Sequence, residues 1–179
     1  MVEGEDGAYH MYAAMMSGNG TLAMWLNQSV VGHAVSITGP AGPYVFSDVA
    51  LAPRPGKWDG ITCHNPDVQR TVDGLYVIYY MGSKAGGRPP AKGKWLPHPA
   101  ISFNQRVGMA WSQSPYGPWE RQEEPILGPG EAGRWDDGFT TNPAGYMYPN
   151  GSVLIIYKAR GREDPTGLMS IYGNYVHIW

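Results

Sequence analysis

A chain of 179 residues is long enough for one ordinary domain with its own core and too short for two substantial ones. Its 25 glycines and 16 prolines exclude a long helix bundle, and a net charge of -2 with a pI near 6.2 lacks the basic footprint that nucleic-acid binding needs. The single cysteine, Cys63, excludes an internal disulfide, a multi-cysteine zinc site and an iron–sulfur cluster, and no apolar run approaches the roughly 20 residues of a membrane-spanning helix.

The chain opens Met1-Val2-Glu3-Gly4-Glu5-Asp6, acidic and without the basic and apolar regions of a signal peptide. Asp6-Gly7-Ala8-Tyr9-His10-Met11-Tyr12 then joins a turn pair to an apolar and aromatic run, the mark of a hairpin entering a strand. The same form returns at Asp73-Gly74-Leu75-Tyr76-Val77-Ile78-Tyr79-Tyr80 and at Asn150-Gly151-Ser152-Val153-Leu154-Ile155-Ile156-Tyr157. Between these, His33-Ala34-Val35-Ser36 answers to Met109-Ala110-Trp111-Ser112, and Gly42-Pro43-Tyr44 to Gly117-Pro118-Trp119. Trp58-Asp59 answers to Trp135-Asp136 and Asn65-Pro66 to Asn142-Pro143, both at a spacing of 77 residues. Because the order is kept, the repeat is a whole supersecondary unit. Three sequons, at Asn19, Asn27 and Asn150, suit a secreted surface, although patterns this short recur by chance.

Within the complete unit four strands are expected, over Asp67–Val72, Leu75–Met81, Arg106–Gln113 and Trp119–Leu127. Short β-branched and aromatic pieces between turn signals fit antiparallel sheet, and four-stranded units in tandem describe propeller blades. The fold class is therefore all-β, as part of a β-propeller. An insertion between Gly82 and Gln105, with little strand character, accounts for the long pitch. The count gives strands two to four of one blade, one complete blade and the first two or three strands of another, about half of a small closed propeller. Half a propeller leaves blade faces open, so self-association or pairing with absent blades is expected. The final stretch, Leu168 to Trp179, departs from the repeat.

His64-Asn65-Pro66-Asp67-Val68, the Asp73 to Gly82 run, Val107-Gly108-Met109-Ala110-Trp111-Ser112-Gln113-Ser114-Pro115-Tyr116-Gly117-Pro118-Trp119 and Asn142-Pro143-Ala144 together resemble the five-bladed β-propeller glycoside hydrolases, family 43 and its relatives most of all. The resemblance spans nearly everything from Asp6 to Arg160. It implies a single incomplete propeller domain over 1–179, an extracellular location, and hydrolysis of glycosidic bonds in plant or microbial poly- or oligosaccharides, with a carbohydrate as partner and no cofactor. It also implies three cavity-facing carboxylates: a general base, a general acid set roughly 6.5 to 9.5 Å from it so that water fits, and a third that tunes the acid. Here the strand expected to carry the base would precede Met1, the blade expected to carry the acid would follow Trp179, and Asn142 stands at the tuning position. A non-catalytic carbohydrate-binding propeller, or an inactive fragment, is the alternative that these departures raise.

Three carboxylates, Asp59, Asp136 and Asp137, follow tryptophans in the loop before each innermost strand and are the catalytic candidates. Two accounts of them stand: binding sugar or replacing a missing acid or base, and capping turns through local hydrogen bonds. Asp67 faces either the cavity or a neighbouring blade. His64 and Asn65 are placed to donate to sugar hydroxyls, with Asn142 at the matching point of the next blade; a satisfied structural histidine is the other reading of His64. None of His10, His33, His98 and His177 forms a close ligand pair with it in sequence, so no metal is expected. Tyrosines and tryptophans outnumber phenylalanines, a bias that suits sugar stacking. Trp58, Trp95 and Trp135 lie in loops as candidate platforms, whereas Tyr76, Tyr79, Tyr80 and Trp119 lie in strands as blade packing. The insertion gathers Lys84, Arg88, Lys92 and Lys94, which would suit an anionic sugar or a plain solvated loop; its glycine spacing does not match a phosphate-binding loop.

Overall fold

The structure, a computed structural model, describes residues 1–16, 25, 27–86 and 101–162, and the backbone of 99–100 and 170–176. Asn19, Arg88, Lys92, Lys94, Trp95, His98 and His177 lie outside the described residues. Three antiparallel sheets follow one another along the chain. The first holds β1 (Val2–Glu3), β2 (Tyr9–Met16), β3 (Ser29–Ser36) and β4 (Val45–Leu51), paired in that order. The second holds β5 (Thr62–Arg70), β6 (Tyr76–Ser83), β7 (Arg106–Ser112) and β8 (Glu120–Arg121), with one helical turn, α1 (Pro99–Ser102), before β7. The third holds β9 (Phe139–Met147), β10 (Val153–Arg160) and β11 (Ser170–Val176). Each sheet is a meander, as the repeat requires.

Four expectations change. β5 begins at Thr62, five residues before the expected start at Asp67, because the strand passes through a bulge. Val2–Glu3 pairs with His10 and Tyr9, so the first sheet has a short opening strand that the repeat count omitted. The final stretch does not abandon the repeat: Ser170–Val176 runs antiparallel to β10 from Ala159 to Val153, as the third strand of its blade. The fourth strand of the middle blade is only two residues long, because Glu123, Glu124 and Pro125 take the chain off the ladder before Leu127 bridges back to Val107.

The sheets stack face to face. β6 is buried along its whole length, and its alternating side chains serve two cores. Ile78 and Tyr80 join Tyr12, Val31, Leu51, Trp58, Cys63, Val68 and Ala110 between the first and second sheets. Val77 and Tyr79 join Val153, Ile155, Tyr157 and Ala159 between the second and third. Tyr76, Tyr79 and Tyr80 are thus blade packing, and Trp119 lies against the first core. Burial in that core pushes the Cys63 thiol up to about 12, so it stays protonated and inert. Beside the apolar core, where Tyr12 stacks on His33 at 4.8 Å, the first sheet carries two buried histidines between partly exposed aspartates: Asp6 bonds His10 at 3.2 Å, His10 bonds His33 at 2.9 Å, and His33 bonds Asp48 at 3.0 Å.

Candidate functional site

The ladder between β5 and β6 runs from Thr62 to His64, then resumes at Asp67 one residue out of step. The extra residue is accommodated by Asn65 in the left-handed region, φ 46°, a conformation that asparagine tolerates better than most side chains. Asn142 repeats this in β9, with φ 50° and a matching register shift opposite Ile156 and Lys158. The two residues therefore hold equivalent places on the first strands of adjacent sheets. Their side chains meet: Asn65 Nδ2 donates to Asn142 Oδ1 at 2.6 Å, and Thr141 Oγ1 donates to the same oxygen at 2.9 Å.

His64 and Asp67 flank this contact. The imidazole Nδ1 lies 2.7 Å from Ser29 Oγ, and the ring stacks on Trp25 at 5.4 Å between centroids. Burial lowers the His64 pKa to about 4, so the ring is neutral at neutral pH. Asp67 Oδ2 accepts from the Gly145 backbone N–H at 2.7 Å and from Gln69 Nε2 at 3.1 Å, tying β5 to β9. Gly145 is needed there, since a Cβ would come within 2.6 Å of the Tyr79 ring. Asp67 thus faces the neighbouring blade. Thr62 donates its hydroxyl to the Trp25 carbonyl at 2.9 Å, so the second blade also bonds the residue whose indole stacks on His64. His64, Asn65, Asp67 and Asn142 are brought together.

The tryptophan–aspartate pairs are engaged elsewhere. Asp59 is fully buried: Arg54 Nε reaches both its oxygens at 3.0 Å, Tyr80 donates its hydroxyl at 2.8 Å and Arg121 Nη1 stands at 3.2 Å. Trp58 stacks on Tyr80 at 5.6 Å and lies over Gly82 and Gly108, where a Cβ would collide with the indole. The next blade repeats the arrangement, for Trp135 stacks on Tyr157 at 5.8 Å and Tyr157 donates to Asp136 at 3.3 Å. Asp136 also faces Arg134 Nε at 3.7 Å. Asp137 accepts backbone N–H groups from Gly133 at 2.8 Å and Arg162 at 2.6 Å. Trp58, Asp59 and Tyr80 therefore recur 77 residues on as Trp135, Asp136 and Tyr157, a triad. The tyrosine was present at the same spacing in the sequence, but as a strand residue it reads as core. Trp25, Ser29 and Thr141 have no repeat signal of their own, and folding alone places them at the site.

No protein-family model matches the sequence, and no curated protein matches it. Solved structures do match. One is Zg3597, a family 117 glycoside hydrolase produced by the marine bacterium Zobellia galactanivorans, with a TM-score of 0.67 and 20% identity over 96% of this chain and 49% of that one. The fold is that of the five-bladed propeller glycoside hydrolases. A thermostable family-43 glycoside hydrolase matches with a TM-score of 0.64 and 17% identity, over 99% of this chain and 53% of that one. Fructan 1-exohydrolase IIa from Cichorium intybus matches with a TM-score of 0.60 and 17% identity, over 94% of this chain and 30% of that one. The chain spans about half the length, or less, of these three solved structures. The expected all-β propeller stands, and the likeness extends beyond family 43 to family 117 and others.

Proposed function

We propose that this chain supplies the sugar-binding side of a glycoside hydrolase-like propeller acting on plant or microbial poly- or oligosaccharides. The observation that carries the reading is the amide contact between Asn65 and Asn142. Equivalent positions on two blades converge there, next to a neutral, half-buried histidine. Side-chain amides and a neutral imidazole are directional hydrogen-bond groups suited to hydroxyls and ring oxygens, and Trp25 adds an apolar ring face beside them. Asp59 and Asp137 have their oxygens committed to arginines, a tyrosine and backbone N–H groups, and Asp136 accepts from Tyr157 through Oδ2 while its buried Oδ1 takes no hydrogen bond among the described residues. We read them as holding blades and loops, with turnover using carboxylates supplied from outside this chain. A second reading, binding without hydrolysis, is favoured by one residue: Asn142, at the position of the tuning carboxylate, cannot ionise.

Calorimetric titration of the chain with xylo-, arabino- and fructo-oligosaccharides tests the proposal. At least one series should bind, and Asn142→Ala should weaken it by roughly tenfold, the equivalent of one well-made polar contact. No binding by any of the three, or affinity indifferent to Asn142→Ala and His64→Ala, sinks it. If binding survives and no sugar is cleaved when the remaining blades are supplied in the same chain, the non-catalytic reading holds.

A further inference from the structure

Ser29 opens β3, and its side chain is fully buried. Its hydroxyl stands 2.7 Å from His64 Nδ1, across the junction between the first two sheets. Two proton arrangements fit that distance. If Nδ1 carried the hydrogen, the serine oxygen would accept it, and the hydroxyl's own hydrogen would be buried with no acceptor among the described residues. If the hydroxyl donates, both groups are satisfied, and the single hydrogen of the neutral ring sits on Nε2. The stacked Trp25 indole, at 29° to the imidazole, holds the ring plane, and the Thr62 hydroxyl holds the Trp25 backbone. Nε2 bonds to no group among the described residues. Asn142 has matching chemistry: its Oδ1 accepts from both Asn65 and Thr141, which leaves the two hydrogens of Nδ2 for another partner.

We infer that Ser29 is a positioning residue of this site: by donating to Nδ1 it fixes His64 as an Nε2–H donor. His64 and Asn142 together then offer hydrogens and select ligand oxygens that accept, such as ring, glycosidic or carboxylate oxygens. The inference rests on the sugar-site reading above. A ring kept neutral by burial, with its pKa near 4, orients an oxygen at neutral pH and does not serve as a general acid there.

The tautomer is directly observable by long-range 15N–1H NMR of the imidazole in the labelled chain. The expected spectrum has a protonated Nε2 and an unprotonated Nδ1. Ser29→Ala should mix the tautomers and Ser29→Thr, which keeps a hydroxyl donor, should restore one. Of xylotetraose, arabinotetraose and kestose, any that binds should shift the Nε2 proton, and Ser29→Ala should weaken its binding about fivefold. A hydrogen on Nδ1 in the unmodified chain, or a spectrum unchanged by Ser29→Ala, overturns the assignment. The expected tautomer with an Nε2 proton unmoved by all three sugars would instead overturn the sugar site and leave Ser29 as a packing contact.

Discussion

At the scale of single residues, one contrast decides most of the chemistry: the carboxylates of Asp59 and Asp137 are bonded within the protein, Asp136 is so bonded through Oδ2 alone, and the amides and imidazole keep groups to offer. Asp59 illustrates the first. Asparagine there would keep the shape but leave Arg54, Arg121 and the Tyr80 hydroxyl facing a neutral, half-donating amide. Asp59→Asn is expected to lower unfolding free energy by about 3 kcal/mol. Asp136→Asn, with a longer tyrosine bond and a more distant arginine, should lose about 1 kcal/mol. Paired denaturant melts check the order of the two, and equal effects would refute the difference in their surroundings. His64 illustrates the second. Its folded pKa near 4 lies below the ordinary value of 6.5, so between these the unfolded chain binds more protons. Stability should therefore rise with pH from about 4 to 6.5 and stay level above. The partly exposed ring limits the gain to about 1–2 kcal/mol. His64→Gln should reduce that slope in melts taken across the window, leaving the part due to His33, whose burial also lowers its pKa. The equivalence of Asn65 and Asn142 was legible from spacing alone. The bonding of Asp59 was not, because its partners come from residues 54, 80 and 121, and no local pattern links them.

Among the elements, the innermost strands gave the sequence its hardest problem. His64-Asn65-Pro66 looks like a strand boundary, since asparagine and proline favour turns, and the sequence pattern starts the strand at Asp67. In the structure β5 begins five residues earlier and passes through the bulge, because a left-handed asparagine absorbs one residue without ending the ladder. The hairpin strands were legible nearly to the residue, since β6 is apolar on both faces and its turn is marked by Asp73-Gly74. The closeness of β5 and β9 depends on a missing side chain. Gly145→Ala should push a methyl group into the Tyr79 ring and strain the Asp67 bond, at a loss of about 1–3 kcal/mol. Ala144→Gly, next to it on the same strand, probes flexibility without a clash. If Gly145→Ala melts no lower than Ala144→Gly, the close approach is not structural.

At the scale of the whole molecule, the sheets leave apolar side chains in water. Phe46, at 56% exposure, stands on the first sheet, and Tyr146 at 57% and Ile156 at 45% stand on the third. Propeller blades bury such positions against the next blade, so a second copy or further blades should cover them. Light scattering of the chain alone is expected to show dimers or larger species, and Phe46→Ser with Ile156→Ser should shift it toward monomer. A monomer at high concentration, with a sharp cooperative melt, would count against the open faces as sites of assembly.

The strand shared by both cores carries a consequence for motion. Because the side chains of β6 alternate between two interfaces, neither interface can open while that strand stays in place, and its own release requires both to open. Local excursions should therefore stop at β6. In deuterium exchange its amides from Val77 to Tyr80 should be the last to be replaced, at a rate set by global unfolding, while those of β4 and β8 exchange early through fraying. If the amides of β10 outlast those of β6, the two cores open separately, and the middle blade is a passenger between them.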